Sequence, residues 1–254
     1  MHLSLTPKNL LAFLALLFIC HELHELAHTL MQYVICGCWG PRDFLGWKTC
    51  GACDTRILAT WIFLFGPLLS YGLMWVAFGL MAPGKRAGQK ALGWALLFAN
   101  LPLGRLIPVL DREGDESLIT RNIINKESMT VLSWGTELAL VFLLTLPVLF
   151  RAWQVLEARH RVWVYAGFLT LPLLAESLLM NGLANWFLRQ KVLAGDGILG
   201  SPVLMNVWNA GWLLVLLFTY EHLYTLLRPA QPAIDPAREA PAGSLLTFKK
   251  EKRP

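Results

Sequence analysis

The chain has 254 residues, 56% of them hydrophobic and 15% charged, with a formal net charge of +5; its mean hydropathy is +0.50 and its pI about 9.0. A soluble domain carries about a quarter charged residues, so the apolar excess requires lipid as a solvent and excludes soluble, collagen-like, disordered and disulfide-miniprotein classes. The eleven Trp suit a membrane interface, and basic residues spread over short connections and a tail suit membrane orientation rather than nucleic acid.

A spanning helix takes about 20 mostly apolar residues. Six stretches qualify in chain order: 9–34, 57–81, 91–110, 130–153, 162–188 and 199–227. The expected fold is therefore all-α, a polytopic membrane helical bundle filling residues 1–228. Pro172, Asn181, Gly182 and Asn185 interrupt the fifth stretch, so its form departs from a plain helix. No cleavable signal peptide is expected, because the first apolar run carries ionisable residues and no small-residue cleavage site follows it. Residues 229–254 are rich in Pro and Ala and end in Lys249, Lys250, Lys252 and Arg253, which reads as a disordered basic tail.

With six spans, thirteen Lys and Arg fall on the side of the N-terminus and tail, and nine on the other. The excess favours a cytoplasmic N-terminus and tail.

The chemistry concentrates in the first span, in Cys20-His21-Glu22-Leu23-His24-Glu25-Leu26-Ala27-His28. His24 and His28 are four residues apart, about 40° round a helix, so both imidazoles can reach one metal ion. Glu25 stands about 100° from His24, able to touch a water on that metal without ligating it. Zinc held by two His lowers the pKa of bound water to about 7, and such a Glu takes the water's proton and passes it on. Each ionisable group at mid-bilayer costs roughly 2.5 kcal/mol or more, so a cluster of this kind needs a compensating cation. His21, one turn before His24, reads as a supporting or water-path residue with third ligand as the alternative, and Glu22 as a partner for a neighbouring polar group. Cys20 reads as core.

A catalytic zinc has three protein ligands and an open position. Spans one and three run the same way, which levels the far half of span one with the acidic stretch Asp111-Arg112-Glu113-Gly114-Asp115-Glu116. Glu137 and Glu176, in later spans, are further candidates for the missing ligand.

His24-Glu25-Leu26-Ala27-His28 resembles the first-helix motif of the site-2 protease family of intramembrane zinc metalloproteases. Phe65-Gly66-Pro67-Leu68 is similar to that family's Gly-Pro packing motif, and Asn100, Pro102 and Pro108-Val109-Leu110-Asp111 to its later Asn/Pro and Leu-Asp-Gly element. The resemblance covers about residues 15–120, within a metalloprotease-like core of about 9–120. It implies a zinc metalloendopeptidase cutting a transmembrane or membrane-adjacent segment of a membrane protein, with Glu25 catalytic and His24, His28 and an Asp on zinc. It also implies a substrate- or ion-orienting role for Asn100, and the bacterial cytoplasmic membrane is the expected site. Arg112 stands where the family has Gly, so Asp115, after Gly114 whose freedom lets the chain bend back, is preferred to Asp111. The alternative is a non-proteolytic metal-binding membrane protein, either a divalent-cation transporter or an inactive relative. Six His are too few for a membrane di-iron oxygenase, and only His222 offers a haem a later-span ligand.

Cys36, Cys38, Cys50 and Cys53 lie between spans one and two as two disulfides or a small structural zinc site. The charge count places this loop outside, where disulfides form; the resemblance, whose active sites face the cytosol, favours thiols or zinc.

Overall fold

The structure is a computed structural model that describes residues 1–53, 56–123, 131–157 and 161–229. The tail expected over residues 229–254 lies, from residue 230 on, outside the described residues. Among these, six helices or helix pairs are long and apolar enough to cross a membrane, and the chain is an all-α helical bundle of the kind a multi-pass membrane protein has. Lipid-like exposure marks its flanks: Trp163 and Phe218 are 81% and 83% exposed.

Helix α1 (Pro7–Cys36) is the longest. Thr6 caps it by accepting from the Asn9 N–H at 3.1 Å, with Pro7 in the first turn. Gly37, at φ 69°, closes it in the left-handed conformation. A loop follows, carrying a small hairpin of β2 (Arg42–Asp43) and β3 (Gly46–Trp47). Helix α2 (Arg56–Leu80) packs along α1.

The third span is not one helix. Helix α3 (Ala87–Ala99) ends at Asn100, Leu101 takes φ 51°, and α4 (Pro102–Leu110) restarts at Pro102. The residue before a proline is disfavoured in the right-handed helical region, which accounts for the break falling at Leu101. Helix α5 (Gly114–Ile123) then turns back and packs against α2.

Helix α6 (Val131–Val155) is continuous. The fifth span runs as α7 (Arg161–Glu176), a π-helical segment over Ser177–Ala184, and α8 (Asn185–Arg189). The interruption read from Asn181, Gly182 and Asn185 thus takes the form of a widened turn rather than a break. The sixth span begins at α9 (Val203–Thr219), later than residue 199, because Leu199 and Gly200 have positive φ and Pro202 opens the helix. Strand β4 (Leu227–Arg228) pairs antiparallel with β1 (His2–Leu3). The N-terminus and the end of the last span therefore meet at one end of the bundle, as an even number of spans requires.

The core lies among α1, α2, α3 and α6, with Phe13, Leu17, Met74, Trp94, Phe98 and Val148 fully or almost fully buried. Trp94 packs edge-on against Phe168 of α7 with ring centres 4.3 Å apart. Gly93 lets α3 approach α2 closely: a Cβ there would meet Ala77 O and Leu80 Cβ at 2.8 Å each. Gly93→Val is expected to destabilise the bundle by about 1–3 kcal/mol, read as earlier thermal unfolding in detergent, while Gly79→Ala, which meets nothing within 4 Å, leaves stability unchanged.

Candidate metal centre

The His and Glu residues of α1 lie from its midpoint onward, and three neighbouring elements converge on them. His24 and His28, both buried, present their Nε2 atoms to each other at 3.2 Å. Asp115, in the first turn of α5, closes the triangle: its Oδ2 lies 3.0 Å from His24 Nε2 and 3.4 Å from His28 Nε2. Gly114 at φ 84° turns the chain into that helix.

Each imidazole is fixed from behind. His28 Nδ1 lies 2.8 Å from the Ile62 carbonyl, which can only accept, so Nδ1 carries the proton and a neutral ring leaves a lone pair on Nε2. His24 Nδ1 lies 3.0 Å from Ser70 Oγ. Outer hydrogen bonds of this kind set the tautomer of metal-binding His. Two inward Nε2 atoms and a carboxylate oxygen form an all-acceptor set once the rings are neutral, which suits a cation and little else.

The spacing fits one as well. Ligands about 2.0–2.1 Å from a tetrahedral ion stand about 3.3 Å from one another, and the three edges here are 3.0, 3.2 and 3.4 Å. These residues could therefore hold a metal ion.

Room for the rings comes from Gly66 in α2, whose absent side chain matters directly: a Cβ there would lie 2.6 Å from His24 Cε1 and closer still to His28 Nε2. On the same stretch of α2 the Ile62 carbonyl meets His28, one residue before Phe63, whose carbonyl lacks a helical donor because Pro67 has no N–H. From the hairpin, Trp47 stacks on His28 with ring centres 5.1 Å apart.

Electrostatics reinforces the arrangement. Burial pushes the Asp115 carboxyl up, but hydrogen bonds donated by the His24 and His28 rings when they carry a proton on Nε2 outweigh that and hold it well below the usual carboxylate range. Arg105 of α4 adds a contact at 3.4 Å. Burial raises the neighbouring Glu116, which accepts from the Tyr71 hydroxyl at 2.9 Å.

Glu25 is next to His24, and its Oε2 is buried with no hydrogen-bond partner. An orphaned carboxylate oxygen beside an acceptor-lined centre is where a water on a bound cation would be received.

Several sequence candidates lie elsewhere. Asp111 caps α4 and is exposed, apart from the cluster. Asn100 donates to Leu96 O at 2.7 Å and approaches Cys20 Sγ at 3.7 Å, so it holds the α3 break. His21 pairs with Glu176 at 2.5 Å, and Glu137 accepts from Ser117; neither Glu joins the two ligand-like His. Glu22 takes both Arg42 Nη atoms at 3.0 Å, which ties the hairpin to α1. The loop cysteines pair as Cys36–Cys53 and Cys38–Cys50. Sequence reading missed Ser70, Ile62, Trp47 and Arg105; only the Gly-Pro pair hinted at the α2 face.

No protein-family model matches the chain, and no curated protein or solved structure matches it.

Metal analysis of purified protein is expected to give about one divalent ion per chain. His24→Ala and Asp115→Asn should lose it, Asp111→Asn should keep it, and Gly66→Ala should lose it by displacing both imidazoles.

Proposed function

We propose that the chain is an intramembrane zinc metalloprotease, a divergent relative of the site-2 proteases, that hydrolyses a peptide bond in or near a transmembrane segment of a membrane protein. The observation that carries this reading is the convergence of His24, His28 and Asp115 beside the unpartnered carboxylate of Glu25. Two His and a carboxylate are a donor set suited to zinc. Zinc bound there would supply Lewis acidity, lowering the pKa of a water and polarising a carbonyl.

The chain's own residues do the rest. Glu25 accepts a proton from the attacking water and returns it to the leaving amine, so no net proton is held. Ser70, Ile62 and Gly66 keep the imidazoles in place, and Arg105 holds Asp115. A cavity of about 800 Å³ between α2, α5 and α6, lined by Tyr71, Gly72, Glu116 and Leu140 among others, offers an apolar segment a place against α5, the helix that carries Asp115. A helical substrate must unwind first, since its peptide bonds are shielded by their own hydrogen bonds.

The two disulfides at the C-terminal end of α1 favour an oxidising space at that end. With the charge count they support the reading of a cytoplasmic N-terminus, and the bacterial cytoplasmic membrane is the site that the resemblance implies.

A second reading, a metal-binding or cation-transporting membrane protein without hydrolytic activity, is favoured by one observation: Asn181 Oδ1, an acceptor able to meet a cation, is buried in the fifth span without a partner.

The readings part at Glu25. On the proposed function, Glu25→Gln retains zinc but lowers single-turnover cleavage of a transmembrane peptide by about 10²–10⁴-fold. Zinc binding without any Glu25-dependent cleavage would leave the second reading. Gly72→Trp, which fills the cavity, is expected to raise KM or abolish cleavage with zinc content unchanged.

A further inference from the structure

Among the described residues, His21 and Glu176 form a partly buried ionisable pair for which neither the metal centre nor the hairpin accounts. His21 Nδ1 lies 2.5 Å from Glu176 Oε1, with the side chains 17% and 14% exposed. Such a pair inside membrane spans is costly to insert, and intramembrane ionisable residues mark function by default.

Its position gives it a task. His21 and Glu25 are four residues apart on α1, about 40° round the axis, so Glu25 stands one turn above His21 on the same face. The two lie within electrostatic range of each other. Glu176 engages His21 Nδ1, so a contact from the ring to Glu25 falls to Nε2, while Glu25 Oε2 is buried and without a partner.

The fifth span is shaped around this point. Glu176 is the last residue of α7, and the π-helical segment begins at the next residue, Ser177. A π turn is rare and recurs at functional sites. Met180 and Ala184 of that segment pack with Phe18 of α1 and Met205 of α9, which fixes the register of Glu176 against α1.

The other buried carboxyls do different work: Glu22 holds the hairpin, Glu137 holds Ser117, and Glu116 holds Tyr71.

We propose that His21 and Glu176 are positioning residues for Glu25: Glu176 holds the His21 ring, and the ring steadies the Glu25 carboxylate toward the centre formed by His24, His28 and Asp115. This rests on the reading of Glu25 as general base. It gives the fifth span, outside the stretch that resembles a known family, a part in the reaction.

The test uses the full-length, zinc-loaded protein reconstituted in lipid, with a model transmembrane peptide and the variants His21→Ala, Glu176→Gln, Glu176→Asp and Glu25→Gln. His21→Ala and Glu176→Gln are expected to lower kcat by about 10- to 100-fold, with KM and zinc stoichiometry unchanged. Glu176→Asp should restore most of the loss, and the double variant should lose no more than either single one. Independently of activity, the ¹⁵N NMR signals of the His21 ring should shift in both Glu176→Gln and Glu25→Gln. Unchanged kcat in the His21 and Glu176 variants, with cleavage still abolished in Glu25→Gln, overturns this proposal and leaves the protease reading standing. A His21 ring signal indifferent to Glu25→Gln overturns it too, reducing the pair to a tether between α7 and α1. Zinc-loaded wild-type protein that cleaves nothing overturns both.

Discussion

A helix that crosses a bilayer carries ionisable side chains only where other parts of the protein meet them, because lipid offers neither hydrogen bonds nor counter-charge. Helix α1 carries five within eight residues, and the bundle is arranged as a set of answers to them. Asp115 from α5 meets His24 and His28, Ser70 and the Ile62 carbonyl of α2 take their outer nitrogens, Arg42 from the hairpin meets Glu22, and Glu176 from the fifth span meets His21. The path of the chain after α1 is that of a polymer returning to one helix from four directions. Of these five, Glu25 is the one with a buried oxygen that has no partner, and an unmet polar atom in so fully answered a neighbourhood calls for an explanation beyond packing.

Close approach makes those answers short enough. Gly66 brings α2 against the imidazoles, and Gly93 brings α3 against α2. The break at Asn100 and Leu101 changes the course of the third span before α4 and α5, and Gly114 then aims Asp115 inward. On the far side the hairpin is tied through Arg42 and Glu22, stacked through Trp47 on His28, and anchored through Phe44, which packs against Trp208 of α9 at 5.8 Å. The two disulfides close the loop that carries it. The centre is thus walled by helix on one side and by a stapled loop on the other.

What the sequence made legible is what local periodicity controls. The number of spans, the common face of His24 and His28, and the flank on which Glu25 stands follow from residue spacing on one helix. The turn at Gly114 was legible because glycine before an acidic residue has few other uses. Contacts between spans were not, because helices apolar nearly all round carry no stripe that sets their rotation against a neighbour. Hence Gly66 read only as a packing residue, Arg42 as one loop charge among several, and Glu176 as a candidate for the missing ligand rather than the partner of His21. Cysteine pairing was open for a related reason: four cysteines allow three connectivities, and only the loop's path chooses among them.

The antiparallel pairing of His2–Leu3 with Leu227–Arg228, taken with the pairing of His21 and Glu176, has a consequence in time. During synthesis α1 enters the membrane first, with its imidazoles and carboxylates exposed. Asp115 follows roughly 90 residues behind and Glu176 roughly 150, which at about 5–20 residues per second is several seconds to half a minute. Through that interval the most polar span waits without the groups that neutralise it. The insertion machinery, or water held beside it, must shelter the helix until Glu176 arrives. The arrangement that makes α1 the hub of the finished bundle also makes it the last helix whose environment is completed.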